Sequence, residues 1–505
     1  MKPNCFVHLC SGLVLTLTLS CQKSQATLSS VEALASESRP TQAHQVPQNP
    51  YLADSPWPMS HQNPYQQGSS PFNGPTSTMD LATNHHLKAG YVNITQAISS
   101  PYPTGERVAW GSNVSHVYKT IFGTTPEVVA KVRKEGTGHI SGAYTLVDAE
   151  GQFFVPTKKS IYKYTDEDQN DPRSGIKLTG SFDLPAGDFG DIVGINLTYD
   201  GFIIYATSKG LVGAVSRDFR QSSSLSLAWD GGEISNSIAV DEDGGIYVVT
   251  SEQMHRVQWN GQKLSVLWSS PYETGGDILV PGRLGKGSGS TPSLMGVGEE
   301  DQFVVITDGQ ELAHLVLFWR HDIPEDFEPI APGKSRRIAA EVPIKFGDQQ
   351  ATSSMSEQSV LVHGHKAVVV NNDYNTPIAP KLDLLARIWS FLTVLQSNNP
   401  RIAPYGVEQF QWDPNTRTLQ SSWVNEAISC PNAIPTMSAQ NGLMYCVGQR
   451  QGIWNIEAID WQTGDSAFHI PLKRHTSYNS FYAATQIGVD GQIVYGTLDG
   501  LITLQ

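Results

Sequence analysis

A repeat constrains this chain more than any other feature. A tight Asx-Gly or Glu-Gly turn followed by a β-branched run recurs as Glu150-Gly151-Gln152-Phe153-Phe154-Val155, Asp200-Gly201-Phe202-Ile203-Ile204-Tyr205, Asp243-Gly244-Gly245-Ile246-Tyr247-Val248 and Asp490-Gly491-Gln492-Ile493-Val494-Tyr495. Weaker copies stand at 301–306, 364–370 and 441–445, and a divergent first copy at 107–110. Asx-Gly between two β-rich runs is a strong hairpin signal, because the tight turn needs a positive φ that Gly and Asn tolerate. A unit of about 40 to 50 residues holds four short strands. Equal spacing with few helices leaves a propeller or a large sandwich, and radial repetition removes the exposed edge strands. The expected fold is all-β, a β-propeller of eight four-stranded blades, or seven if the poor first copy is not a blade. The last copy ends at Gln505 after three strands' worth of chain, so the fourth strand of that blade is expected from the N-terminal region, around 80–90, locking the ring.

Ahead of the repeat, Lys2, a mostly apolar run from Phe6 to Leu19, and Thr18-Leu19-Ser20-Cys21 have the layout of a secretion signal. The run is too short to span a bilayer. The residues before Cys21 resemble a lipobox, which implies removal of residues 1–20 and a lipid on Cys21; an ordinary secretory signal that contains a Cys is the alternative. Gln22 resembles the sorting position of bacterial lipoproteins sent to the outer membrane. Residues 21–56 are expected to be a disordered tether, being rich in Ser, Gln, Ala and Pro without hydrophobic period. The propeller is assigned to 57–505. Its two cysteines, Cys430 and Cys446, are either paired, as an oxidising compartment favours, or free. A net charge of −14 argues against nucleic acid as a partner.

Two segments carry a resemblance to the quinoprotein-type (PQQ-like) propellers. Trp57-Pro58-Met59-Ser60-His61-Gln62-Asn63, running to Gly68-Ser69-Ser70-Pro71 and Gly74-Pro75, is similar to the segment that opens many members. Ala458-Ile459-Asp460-Trp461-Gln462-Thr463-Gly464 with Phe468 resembles their docking motif, and Asp413-Pro414-Asn415-Thr416-Arg417 leading to Trp423 is a looser copy. The resemblance implies that Asp and Thr cap the turn between outer strands while the aromatic wedges between blades. It is a resemblance of fold: quinone-dependent members carry adjacent cysteines, this chain has no Cys-Cys pair, and PQQ is not the expected cofactor. The unit Asn236-Ser237-Ile238-Ala239-Val240-Asp241 is also similar to lactonase propellers, whose six blades are too few.

In a propeller, the loops leading into the innermost strands share one mouth with those joining second and third strands. In register, these lead-in loops place Asp191, Asn236, Glu357, Asn432 and Asn479 at one depth, a set of hard oxygens suited to Ca²⁺. The alternative is that they cap strands and bind water in a wet channel. His139 and Tyr478 sit at comparable positions, with His61 reaching the same mouth, as candidates for general acid or base. His363 and His365 flank a hairpin at the opposite end and are not counted as a metal site. Gly285-Lys286 lacks the Ser/Thr and the helix of a phosphate loop.

One insertion, 375–404, breaks the sixth unit. Residues 380–396 read as a helix with Pro380 in its first turn and Leu382, Leu385, Ile388, Trp389, Leu392 and Leu395 on a wide apolar face. It is expected to lid the mouth, dock a partner, dip into a membrane surface, or pack flat on the rim. Two functions remain open. One is a monomeric, lipid-anchored propeller binding a small molecule or glycan at the mouth; the other is a non-catalytic scaffold for envelope proteins, resembling the lipid-anchored propeller subunit of the outer-membrane barrel-assembly machinery.

Overall fold

The repeated turns adopt the backbone their composition requires. Gly201 and Gly491 lie at φ 88° and 79°, where only a residue without Cβ sits unstrained. In the second unit Asp148 tightens the same turn, its Oδ1 accepting from the amides of Glu150 (3.0 Å) and Gln152 (2.8 Å). The computed structural model describes residues 44–505 except 82, 137–142, 277–279, 284, 299 and 377–382.

The strands form eight sheets, seven of four strands and one of five. Their innermost strands, which define blades 1 to 8, are Gln96–Ile98, Leu146–Val147, Ile192–Leu197, Ala239–Val240, Ser293–Met295, Leu361–His363, Thr436–Ser438 and Gln486–Ile487. Each blade is an antiparallel meander, so its alternating side chains face two neighbouring blades. The core is accordingly a series of apolar layers between sheets: Val147, Phe153 and Val155 meet Ala97 and Trp110 between blades 1 and 2. Phe303 and Val305 meet Val360 and Phe410 between blades 5 and 6. The ring closes as expected. Asn84–Leu87 pairs antiparallel with Leu501–Leu504, Asn84 opposite Leu504, and supplies the outer strand of blade 8.

The docking motif works between blades 6 and 7. Asp460 Oδ1 accepts from the amides of Gln462 (2.8 Å) and Thr463 (2.9 Å), which caps the turn. Trp423, on the outer strand of blade 6, lies flat against that turn. A Cβ on Gly464 would stand 2.5 Å from its ring, and its Nε1 donates to the Trp461 carbonyl at 3.1 Å. A second rivet was not read from the sequence. Trp259 and Trp412, at the ends of third strands, donate to Asp200 (3.0 Å) and Asp301 (2.8 Å) in the first turn of the preceding blade. Between blades 1 and 2 the tie is ionic. Lys119 and Asp166, 0% and 3% exposed, form a direct pair, and Tyr102 donates to the same carboxylate at 2.6 Å. Burial pushes the Asp166 carboxyl up, against the opposing pull of Lys119 and Tyr102.

The N-terminal segment departs from expectation. Residues 44–56, assigned to the tether, are packed on the propeller: Asn49 Nδ2 donates to the carbonyls of Leu197 and Thr198, both at 3.1 Å, and Leu52 and Ala53 are buried. Residues 57–68 then run along the free edges of the innermost strands in blade order. The carbonyl of Trp57 accepts from Ile98 of blade 1 (2.7 Å), that of Pro58 from Val147 of blade 2 (2.9 Å), and that of Pro64 from Asn196 Nδ2 of blade 3 (2.9 Å) and Val240 of blade 4 (2.8 Å). Those of Tyr65, Gln67 and Gly68 accept from Leu294 (2.9 Å), Val362 (3.0 Å) and Met437 (3.1 Å) of blades 5, 6 and 7. Ser69–Ser70 ends the run as a fifth, parallel strand on blade 7. This hub satisfies backbone donors that inner strands otherwise leave open. It needs no hydrophobic period, which is why composition alone reads its beginning as tether.

Cys430 and Cys446 are joined by a disulfide that ties the lead-in loop of blade 7 to its second strand. The insertion of blade 6 contains helix α1, Asp383–Leu395. Pro380 and Leu382, placed in the expected helix, lie outside the described residues, as do residues 1–43.

Candidate functional site

Lead-in loops and the loops between second and third strands meet on one face, and α1 is inserted in a loop of the second kind. The helix is held down by two of the residues expected to bind metal. Asn479 Nδ2 donates to the carbonyls of Val394 (2.8 Å) and Leu395 (3.2 Å), and Asn432 Nδ2 donates to that of Val394 (3.3 Å) and to Ser397 Oγ (3.1 Å). These carbonyls belong to the last turn of α1, where the helix's own amide donors run out, and that of Val394 also accepts from the Ser397 amide (3.4 Å) and hydroxyl (2.8 Å) just beyond it. The amide oxygens are engaged too: Asn479 Oδ1 accepts from Asn432 Nδ2 and the Phe481 amide, both at 2.8 Å, and Asn432 Oδ1 from Ser480 Oγ at 3.2 Å. So the structure joins Asn432 and Asn479 into a clamp on the helix.

The other candidates are spread around the face. Asp191 lies 3.8 and 3.6 Å from the ammonium groups of Lys158 and Lys159. Asn236 is buried and donates to Ser235 Oγ at 3.0 Å. Glu357 is 6% exposed; Asn372 Oδ1 accepts its amide at 2.9 Å, and a Cβ on Gly289 would stand 1.5 Å from its Oε2. That glycine gives the carboxylate its space. Tyr478 is buried against His86 of the closing strand, ring centroids 6.0 Å apart. His139 lies outside the described residues. His61 is part of the hub, 3% exposed, at φ 57°, with Nε2 3.4 Å from Ser359 Oγ. Burial pulls its pKa down to about 4, so the imidazole is neutral at pH 7.

Around His61 the axis is narrow and polar. Ser359 Oγ also accepts the Thr291 amide at 3.3 Å, and Tyr144 OH lies 3.5 Å from Thr291 Oγ1. Close by in the chain to Ser359, Gln358, 2% exposed, has no hydrogen-bond partner among the described residues at either end of its amide, and Thr145 Oγ1 and Ser237 Oγ have none among them either.

Two further constellations, built on loops of the same face, were missed from sequence. Ser269 Oγ and Asp230 Oδ2 each lie 2.8 Å from a nitrogen of His255, at Nδ1 and Nε2. The nitrogens are used in the reverse order of a Ser-His-Asp triad. His255 and Asp230 are fully inaccessible, and Thr250 Oγ1 donates to the same aspartate at 2.6 Å. The array pins a lead-in loop to three strands of blade 4. In blade 5, ligand atoms of Asp308, His314 and Glu341 lie within 4.8 Å of one another. Gln310 Nε2 already donates to Asp308 at 2.7 Å and Lys334 pairs with Glu341 at 2.8 Å, so that set is internally satisfied.

The outer side of α1 is different. Leu384, Leu385, Ile388, Phe391 and Leu392 are 46% to 65% exposed and form one stripe, while Ala386, Thr393 and Val394 are buried beneath. Phe391 reaches Phe481 of the blade 8 lead-in loop, ring centroids 5.7 Å apart. No helix among the described residues is long and apolar enough to cross a membrane.

Sheet order, ring closure and hub define an eight-bladed β-propeller with an internal N-terminal axle. The chain belongs to the family of an uncharacterized protein of Archaeoglobus fulgidus, to which it is 46% identical over 472 residues, spanning 92% of this chain and 89% of that one. No protein-family model matches it. Among solved structures it is similar to the Dos1 propeller (TM-score 0.46, 8% identity, 84% of this chain and 93% of that one). It is also similar to a streptogramin B lyase (0.41, 10%, 84% and 97%) and to BamB from Moraxella catarrhalis (0.41, 9%, 71% and 95%).

Proposed function

We propose that this propeller is a non-catalytic scaffold that binds a partner protein on its mouth face through the apolar stripe of α1. The observation that carries the reading is the stripe itself: five large apolar side chains in register on a helix whose other side is clamped to the ring. Exposed apolar residues gathered on one rigid element mark interaction surfaces, whereas scattered ones do not. The clamp removes much of the ordering cost of binding. In this reading the lipid on Cys21 and the residues up to 43 hold the scaffold at the cell envelope.

A photo-crosslinking amino acid at position 388 tests it in cells. A discrete protein adduct is expected at 388 and not at Ser224, on an exposed outer strand. Adducts with lipid only, or equal labelling at both positions, would overturn it.

A second reading, a small polar ligand or glycan at the mouth, is favoured by Gln358, next in the chain to the Ser359 that meets His61, whose buried amide has no partner among the described residues. Glycan-array binding that is lost in Gln358→Leu would select it over the first.

A further inference from the structure

On the face opposite the mouth, a half-open cavity of about 220 Å³ lies between the start of the hub, residues 44–72, and the ends of the inner strands of blades 6 and 7 at His363 and Ala439. Two histidines line it, one from each side, His44 and His363. His363 is 6% exposed, and its Nε2 is buried without a hydrogen-bond partner among the described residues, while its Nδ1 lies 3.1 Å from Ser69 Oγ. His44 has its Nδ1 held by Glu300 at 2.7 Å, so the carboxylate fixes the proton on Nδ1 and leaves Nε2 as a lone pair. The two rings stand edge to face, centroids 6.0 Å apart. Gly364, at φ 59°, lets them approach: a Cβ there would lie 3.2 Å from His44 Cδ2 and 3.5 Å from its Nε2.

Each ring thus has its inner nitrogen oriented by an oxygen and its outer nitrogen left over. That is the arrangement in which protein imidazoles bind metal, the second nitrogen being oriented by a carboxylate or other oxygen. We propose that His44 and His363 bind a divalent transition ion of the zinc or copper class in this cavity, with Glu300 and Ser69 as positioning residues and water completing the coordination. Imidazole pairs suit these ions and not calcium or magnesium. His44, with a side chain 35% exposed, leaves a route from solvent. The inference is independent of the scaffold reading, since cavity and helix lie on opposite faces. Its consequence is mechanical: the ion staples the N-terminal end of the hub to blade 6.

The test is calorimetric titration of zinc chloride into the metal-free, tag-free full chain at pH 7.5. One zinc per chain is expected, with affinity at least 10-fold weaker in His44→Ala and in His363→Ala, and about 10-fold weaker in Glu300→Gln. His365→Ala and His314→Ala serve as controls and should bind like the parent. His44 is part-exposed, so its variant keeps the test valid if His363→Ala fails to fold. With copper, electron paramagnetic resonance should report two imidazole nitrogens, falling to one in His44→Ala. Absence of binding, stoichiometric zinc surviving loss of both histidines, or zinc lost with His314 alone would each overturn the proposal.

Discussion

Asn432 Nδ2 donates to Asn479 Oδ1 across 2.8 Å, and both amides reach past this bond to the Val394 carbonyl at the end of α1. Blades 7 and 8 are thereby locked to a helix that belongs to blade 6. Replacing both residues by Ala removes donors worth about 1 kcal/mol each. The expected outcome is local release of the helix: limited proteolysis within 383–395 should accelerate about 10-fold or more, while the global unfolding midpoint moves little. Equal loss of protection throughout the chain would show that the pair supports the ring and not the helix.

The Lys119–Asp166 pair is expected to behave asymmetrically. Lys119→Met strands a buried carboxylate and should cost about 3–5 kcal/mol in urea unfolding. Coupled with Asp166→Leu the loss should shrink markedly, because the desolvation of both charges disappears with them. Additive losses in the double variant would contradict this account.

His61 makes stability depend on pH. Its folded pKa is lowered to about 4 from the ordinary 6.5, so the unfolded chain binds a proton that the folded chain refuses between those values. Stability is therefore full above pH 6.5, falls as pH drops through that window, and levels off below 4, a total near 3 kcal/mol. His61→Asn, which tolerates the positive φ, should flatten this part of the profile. An unchanged slope would mean that other groups carry the acid transition.

The disulfide closes a short loop, the two cysteines being 16 residues apart. Replacing both by Ala should cost about 3 kcal/mol through the freed denatured chain. Cys430 is two residues from Asn432, so the same variant should also loosen α1 in the proteolysis assay.

The blades were legible because their information is local. Asx-Gly turns and strand alternation lie within a few residues of each other, and the three strands' worth of chain in the last unit pointed to the region around 80–90 for its fourth strand, which Asn84–Leu87 supplies. The hub was not legible, because it bonds through carbonyls of Trp57, Pro58, Pro64, Tyr65, Gln67 and Gly68, and a carbonyl leaves no mark in the residue type. One signal was present: residues 57–75 contain no Asp, Glu, Lys or Arg, as a segment buried on both sides requires. Asn432 and Asn479 were found by their depth in the repeat, and their contact with Val394 was not, since it depends on how a loop folds back across two blades. His44 carried no sequence signal, its partners Glu300 and His363 being brought to it only by ring closure.

The axle imposes an order on biogenesis. Residues 57–68 precede every blade in the chain, yet their seven docking sites are spread from 98 to 437, and the strand at 84–87 pairs with 501–504. The ring therefore cannot close before residues 501–504 are present. A ring built this way closes late, after every blade it gathers has been made.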